Sequence, residues 1–143
     1  MFQTIVVGAD DSQTARQAVI AAVEVAQISG ASLIIVTAYD PKSVRLQDLP
    51  VDLRLSTTVH PADQLLRTLA ALGQERGLRV SVEAVTGSPV DAVVRVAELA
   101  NADLIVVGNK GMRGARRVLG SIPNSIAHLA PCSVLLVDTE GAE

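Results

Sequence analysis

The residues from Val106 to Ser125, VVGNKGMRGARRVLGSIPNS, place four glycines and four basic side chains between an apolar run and a helix-like start. Gly108, Gly111 and Gly114 recur at three-residue intervals. Without a Cβ in the way, such a loop turns its backbone N–H groups toward an anion. Gly120-Ser121 then opens a helical pattern, where free N–H groups and the positive end of the helix dipole favour phosphate. Ser121 adds a hydroxyl, and Lys110, Arg113, Arg116 and Arg117 concentrate positive charge in a chain of net charge −3. The alternative is a plain strand–helix connection with solvated charges. The Walker arrangement needs Gly-Lys-Ser/Thr directly before the helix, and here Leu119 precedes Gly120-Ser121. The dinucleotide pattern G-x-G-x-x-G is missing both here and after the first apolar run. The stretch therefore reads as an anion binder without a phosphoryl-transfer mechanism.

Asp10-Asp11 admits three readings. An acidic pair after a first strand holds Mg²⁺ in phosphoacceptor receiver domains. Asp10 alternatively bonds a ribose hydroxyl or a base edge, or the pair caps and charges a helix start. A receiver also wants an acceptor Asp ending the third strand and a Lys ending the fifth, where this chain has Thr86-Gly87 and Asp138. His60 and His128 lack partners at metal-ligand spacing. Cys132, the only cysteine, excludes an intrachain disulfide and reads as a small buried hydrophobe.

The elements that must position these residues follow from periodicity. Four apolar runs, TIVVG (4–8), SLIIVTA (32–38), DLIVVG (103–108) and SVLLVD (133–138), read as parallel strands buried on both faces. RVSVEAV (79–85) alternates and belongs at or near a sheet edge. Ser12 is placed to cap a helix burying Ala15, Ala18, Val19, Ala22, Val23 and Ala26, ended by Gly30. A second helix spans about 62–75 with Leu65, Leu66, Leu69 and Leu72 inward and Gly77 beyond it. A third starts at Ser88-Pro89 and buries Val90, Val93, Val94 and Ala97, and a fourth runs from 121–123 to Pro131 with Ile126 and Leu129. Strands and helices alternate throughout, which points to an α/β fold with a parallel sheet and helices on both faces. Residues 40–60 read as a long excursion, and 1–143 as a single domain.

Phe2 and Tyr39 are the only aromatic residues, so the core rests on Val, Ile, Leu and Ala. The pI near 5.3 argues against nucleic acid or anionic membranes as general partners. A strand at the very start leaves no room for a secretory leader, and no run approaches a membrane span of roughly 18 residues. A cytoplasmic location is expected.

IVVGADDS (5–12), GSPVDAVV (87–94), ADLIVVGNKG (102–111) and GSIPNSIAHLAPCSVLLV (120–137) resemble the universal stress protein family, across nearly the whole chain. The family's nucleotide motif is G-x-x-G, nine residues, then Gly-Ser/Thr. Gly108-Asn109-Lys110-Gly111 and Gly120-Ser121 match it, with eight residues between them instead of nine. The resemblance implies a Rossmann-like doubly wound five-stranded parallel sheet of order 3-2-1-4-5. It implies ATP as ligand, with Mg²⁺ held mainly by the phosphates and by Asp10 or Asp11, and AMP or cyclic AMP as alternatives. By position, Gly8, Ala9 and Asp10 lie beside adenine and ribose, flanked by Ser12, and Ala38 gives a backbone contact to adenine. Val107, Gly108 and Gly111 line ribose and phosphates, Arg113 adds charge, and Gly120, Ser121 and Ile122 hold the phosphate tail. A homodimer paired through Ser133–Asp138, an unnamed protein partner and a regulatory or sensing role in stress response are also implied. Slow ATP hydrolysis, autophosphorylation on Ser121 and a nucleotide-free dimeric scaffold are the alternative readings. Replacing Gly120 with Val is expected to weaken ATP far more than folding; an unchanged ATP affinity in a titration would remove the phosphates from this position.

Overall fold

In a computed structural model, the described residues are 1–9, 13–39, 61–110 and 119–139. Asp10, Asp11, Ser12, His60, Gly111, Arg113, Gly114, Arg116, Arg117 and the expected excursion at 40–60 lie outside them. The elements run β1 (Thr4–Gly8), α1 (Gln13–Ser29), β2 (Ser32–Tyr39), α2 (Pro61–Gln74), β3 (Val80–Thr86), α3 (Pro89–Leu99), β4 (Leu104–Asn109), α4 (Ser121–Leu129) and β5 (Ser133–Asp138). All strands pair in parallel, in the order β3-β2-β1-β4-β5.

The pleat sorts each strand's side chains onto two faces. Ile5 and Val7, Leu33 and Ile35, and Leu104 and Val106 pack with α1 and α2. Val6, Val36, Ile105 and Val107 pack with α3 and α4. This two-sided burial is why the central strands read as unbroken aliphatic runs. The helix ends follow local chemistry. Gly30 and Gly77 take φ of 72° and 77° just beyond α1 and α2, the left-handed turn that a Cβ disfavours. Ser88 caps α3 by accepting the Asp91 N–H at 3.2 Å, with Pro89 in the first turn.

Three expectations are corrected. SVLLVD, read from its composition as buried on both faces, has Leu135 37% exposed, because β5 stands at the edge that the order 3-2-1-4-5 gives it. In α3 the buried set is Ala92, Val93, Val96 and Ala97, whereas Val90 and Val94 are half-buried; the helix is turned so that Ala92 and Val96 meet the sheet. Leu129 ends α4 pointing outward and is 58% exposed. The alternating β3 does lie at an edge.

At the amino end of the sheet Asp103 ties β1 to β4. Its carboxylate accepts the Gln3 N–H at 2.8 and 3.1 Å and the Thr4 N–H at 3.0 Å, and its own N–H donates to the Thr4 carbonyl at 3.0 Å. Burial pushes this carboxyl up, but the donated N–H bonds of Gln3 and Thr4 outweigh it and hold it below its ordinary value. A carboxyl depressed in the folded state stabilises above its unfolded value and loses that contribution as pH falls through the folded one. Asp103→Ala is therefore expected to cost about 1 kcal/mol at neutral pH, the lower range for bonds to a charged group because the site is open to water. The gap between wild type and variant in thermal melts should close as pH drops below about 4; a gap independent of pH would contradict this account.

Candidate functional site

Sequence order and sheet order together fix where the sheet opens. From β1 the chain winds outward through β2 to β3, then crosses back to β4 and continues to β5. Crossover helices leave β1 and β4 in opposite directions, so a crevice forms between their carboxyl ends. Gly8 and Ala9 end one side of it, and Val107 and Gly108 the other. The Ala9 N–H continues the ladder by donating to the Val36 carbonyl at 2.8 Å.

A cavity of about 210 Å³ lies in this crevice. Gly8, Ala9, Ala38, Val107, Gly108 and Ile122, six of the residues singled out in the sequence, line it together. Ala15 and Ala18 of α1, Val36 of β2, Pro89 and Val93 of α3, and Pro123 and Ile126 of α4 complete its walls and were not anticipated as site residues. Their signal was present in one respect: alanines on the inward face of α1 leave room where larger side chains would fill the gap. Gly8 is required for a different reason. A Cβ there would stand 2.9 Å from Val93 Cγ2, so α3 approaches the end of β1 only because position 8 has no side chain.

Gly120 and Ser121 line an open depression beside the cavity, with Lys110 and Asn109, and the two spaces share Gly108, Ile122 and Pro123. Gly120 is the N-cap of α4, and the Asn124 N–H donates to its carbonyl at 2.9 Å. First-turn N–H groups have no partner within their own helix. Pro123 has no N–H, so Ser121 and Ile122 carry the first-turn N–H groups of α4 that the helix itself does not bond. The Gly120 N–H is already engaged: it donates to Asn109 Oδ1 at 2.9 Å. With φ −61° and ψ 162°, Gly120 is in a conformation open to any residue. Its constraint is space, since a Cβ would meet Asn109 Oδ1 at 3.2 Å and Pro123 Cδ at 3.4 Å. A larger residue at 120 thus presses first on the Asn109 amide and then on Pro123 at the start of α4.

Among the described residues no Asp, Glu or His lines the cavity or the depression. Among them, too, no group of three His, Cys, Asp or Glu side chains is arranged to hold a metal ion. His128 is exposed near the end of α4, and Cys132 is half-buried, its thiol pushed up by burial and by the negative charge of Asp103.

Residues 1–138 match the sequence profile of the universal stress protein family. A universal stress protein of Mycobacterium tuberculosis is 37% identical over 145 residues, covering 96% of this chain and 97% of its own. A solved universal stress protein in complex with cAMP is 36% identical, with a TM-score of 0.75 over 96% of this chain and 98% of the other. The universal stress protein of Archaeoglobus fulgidus in complex with dAMP is 20% identical, with a TM-score of 0.70 over 94% and 96% of the two chains, and speaks to the fold.

The contact between Gly8 and α3 yields a direct test. Gly8→Ala is expected to destabilise by about 1–3 kcal/mol, as overpacking does. In a Val93→Ala background the same change should cost markedly less, because the opposing methyl is gone. Equal costs in both backgrounds, read from denaturant melts, would show that this contact does not shape the cavity.

Proposed function

Because the chain belongs to the universal stress protein family, we propose that it binds an adenine nucleotide across the β1–β4 crevice and acts as a regulatory or sensing module in stress response. The observation that carries this reading is the juxtaposition of two unlike surfaces. A small, mostly apolar cavity opens directly onto the α4 N-terminus, with Gly108 and Ile122 belonging to both. At about 210 Å³ the cavity falls below the roughly 300–1,000 Å³ of pockets that enclose a whole ligand. It suits one ring system with the rest of the molecule outside. Adenine enters between Ala38 and Val107, ribose passes Gly108, and phosphate oxygens accept from the Ser121 and Ile122 N–H groups. Lys110, exposed at the mouth, adds positive charge.

ATP fits this reading because its tail extends along the depression toward Lys110. Cyclic AMP is the second reading, favoured by the cAMP complex of the 36%-identical protein, whose match covers nearly both chains. Its single phosphate engages the start of α4 and makes less use of the basic loop. Mg²⁺ accompanying ATP is held chiefly by the phosphates. Turnover is not expected, since the described lining of the two spaces offers no general base. A nucleotide bridging the ends of β4 and α4 alters the surface presented to a protein partner, and differential affinity of that partner for the loaded form is the regulatory step. The outer edge of β5 is proposed to pair with a second copy, covering Leu135. Among the described residues no helix is long and apolar enough to cross a membrane, and the cytoplasm is the proposed location.

Titration of the purified protein with ATP, ADP, AMP and cyclic AMP, with turnover followed in parallel, tests the proposal. Saturable binding without turnover is expected, and no binding by any of the four would overturn it. Ser121→Pro gives a finer test. Proline suits the first helical position, and the extended backbone of Gly120 suits a residue preceding proline. The change removes one N–H and one hydroxyl while sparing the helix. ATP affinity should fall about tenfold or more, the effect of losing a charge-assisted bond of about 1.5–3 kcal/mol, with the melting temperature nearly unchanged.

A further inference from the structure

Asn109 is the last residue of β4 and, at 5% exposure, one of the few buried polar side chains among the described residues. It follows Gly108 directly, on a strand that is otherwise aliphatic. A buried amide costs free energy unless it is bonded, and here the bond has a specific address. Asn109 Oδ1 accepts the Gly120 N–H at 2.9 Å, joining positions eleven residues apart across the connection between β4 and α4. The backbone of Asn109 is fixed as well, paired with Asp138 of β5 and accepting the Thr139 N–H at 3.3 Å. The side chain therefore extends from a rigid part of the sheet to the first turn of a helix whose N-cap has no side chain of its own.

We infer that Asn109 is a positioning residue: its amide oxygen holds Gly120 so that the Ser121 and Ile122 N–H groups stand at a fixed place beside Gly108, ready for the phosphate of the ligand. The inference rests on the nucleotide reading above. Three observations support it. Gly120 spends its N–H on the protein, which leaves the next two donors for the ligand. The space around Gly120 is closed by the same Asn109 oxygen, 3.2 Å from where a Cβ would stand, so the glycine and the asparagine fit as a pair. Gly108 and Ile122, on either side of the clamp, line both the cavity and the depression. A clamp of this kind sets the distance between the two halves of the phosphate cradle without reference to the length of the intervening loop.

The test compares ATP with adenosine, which lacks phosphate, on wild type and on Asn109→Leu, a change of similar size without the acceptor. The inference expects Asn109→Leu to weaken ATP by about tenfold and adenosine by less than about twofold. Equal weakening of the two ligands, or no weakening of either, overturns it. Hydrogen exchange at the Gly120 amide of free wild-type protein supplies a readout that needs no variant to fold. Protection of this amide supports the clamp, and exchange at the rate of an open amide overturns it. If wild type binds neither ligand, the nucleotide reading fails and the role assigned to Asn109 fails with it, whereas the exchange rate still decides whether the clamp exists.

Discussion

The sheet winds outward from its middle strand in both directions, and the candidate site is a consequence of that reversal. Helices α1 and α2 cover one face and α3 and α4 the other. Where β1 and β4 lie side by side, their following chains depart to opposite faces and leave their carboxyl ends uncovered. A protein with this order must fill that gap with its own side chains or with a ligand. Here the surrounding residues are small. Gly8 admits α3, and Ala15, Ala18 and Ala38 leave a cavity instead of closing it.

A second constraint lies at the same carboxyl end of β4. For the proposed cradle the start of α4 must sit against the sheet with its donors facing the gap, although Gly120 lies eleven positions beyond Asn109 in the chain. The Asn109 amide supplies a short link of 2.9 Å independent of that path. It mirrors Asp103 at the opposite end of the same strand, where a carboxylate gathers the Gln3 and Thr4 N–H groups. One polar side chain at each end of β4 thus fixes a neighbouring segment by accepting backbone N–H groups. The first serves the fold, and the second serves the proposed phosphate cradle.

Much of this was legible in the amino-acid sequence because strong local signals agreed with the global fold. The central strands announced themselves as unbroken β-branched runs, and Gly30, Gly77 and Ser88-Pro89 marked helix ends where the structure has them. The edge position of β5 came from the family's sheet order and not from composition. SVLLVD has the composition of a fully buried strand, but the chain supplies a neighbour on only one side. Helix rotation was legible only in part, so that Val90 and Val94 stood in for Ala92 and Val96. Around the site, the glycines drew attention for their backbone freedom, yet Gly120 has an ordinary conformation and is held by proximity to Asn109 and Pro123. Asn109 carried no signal of its own beyond filling a variable position of the G-x-x-G motif, because a contact eleven positions away leaves no local pattern.

The central claim is that one ligand spans the apolar cavity and the start of α4. Mapping backbone amide shifts by NMR as ATP is added tests this most directly. The account predicts that the largest changes fall together at Ala38, Gly108, Ser121 and Ile122, with the β3 edge around Ser81 and Glu83 unmoved. Shifts that leave these four amides unchanged, or that gather instead in the groove lined by Thr86, Arg95 and Leu129, would contradict it.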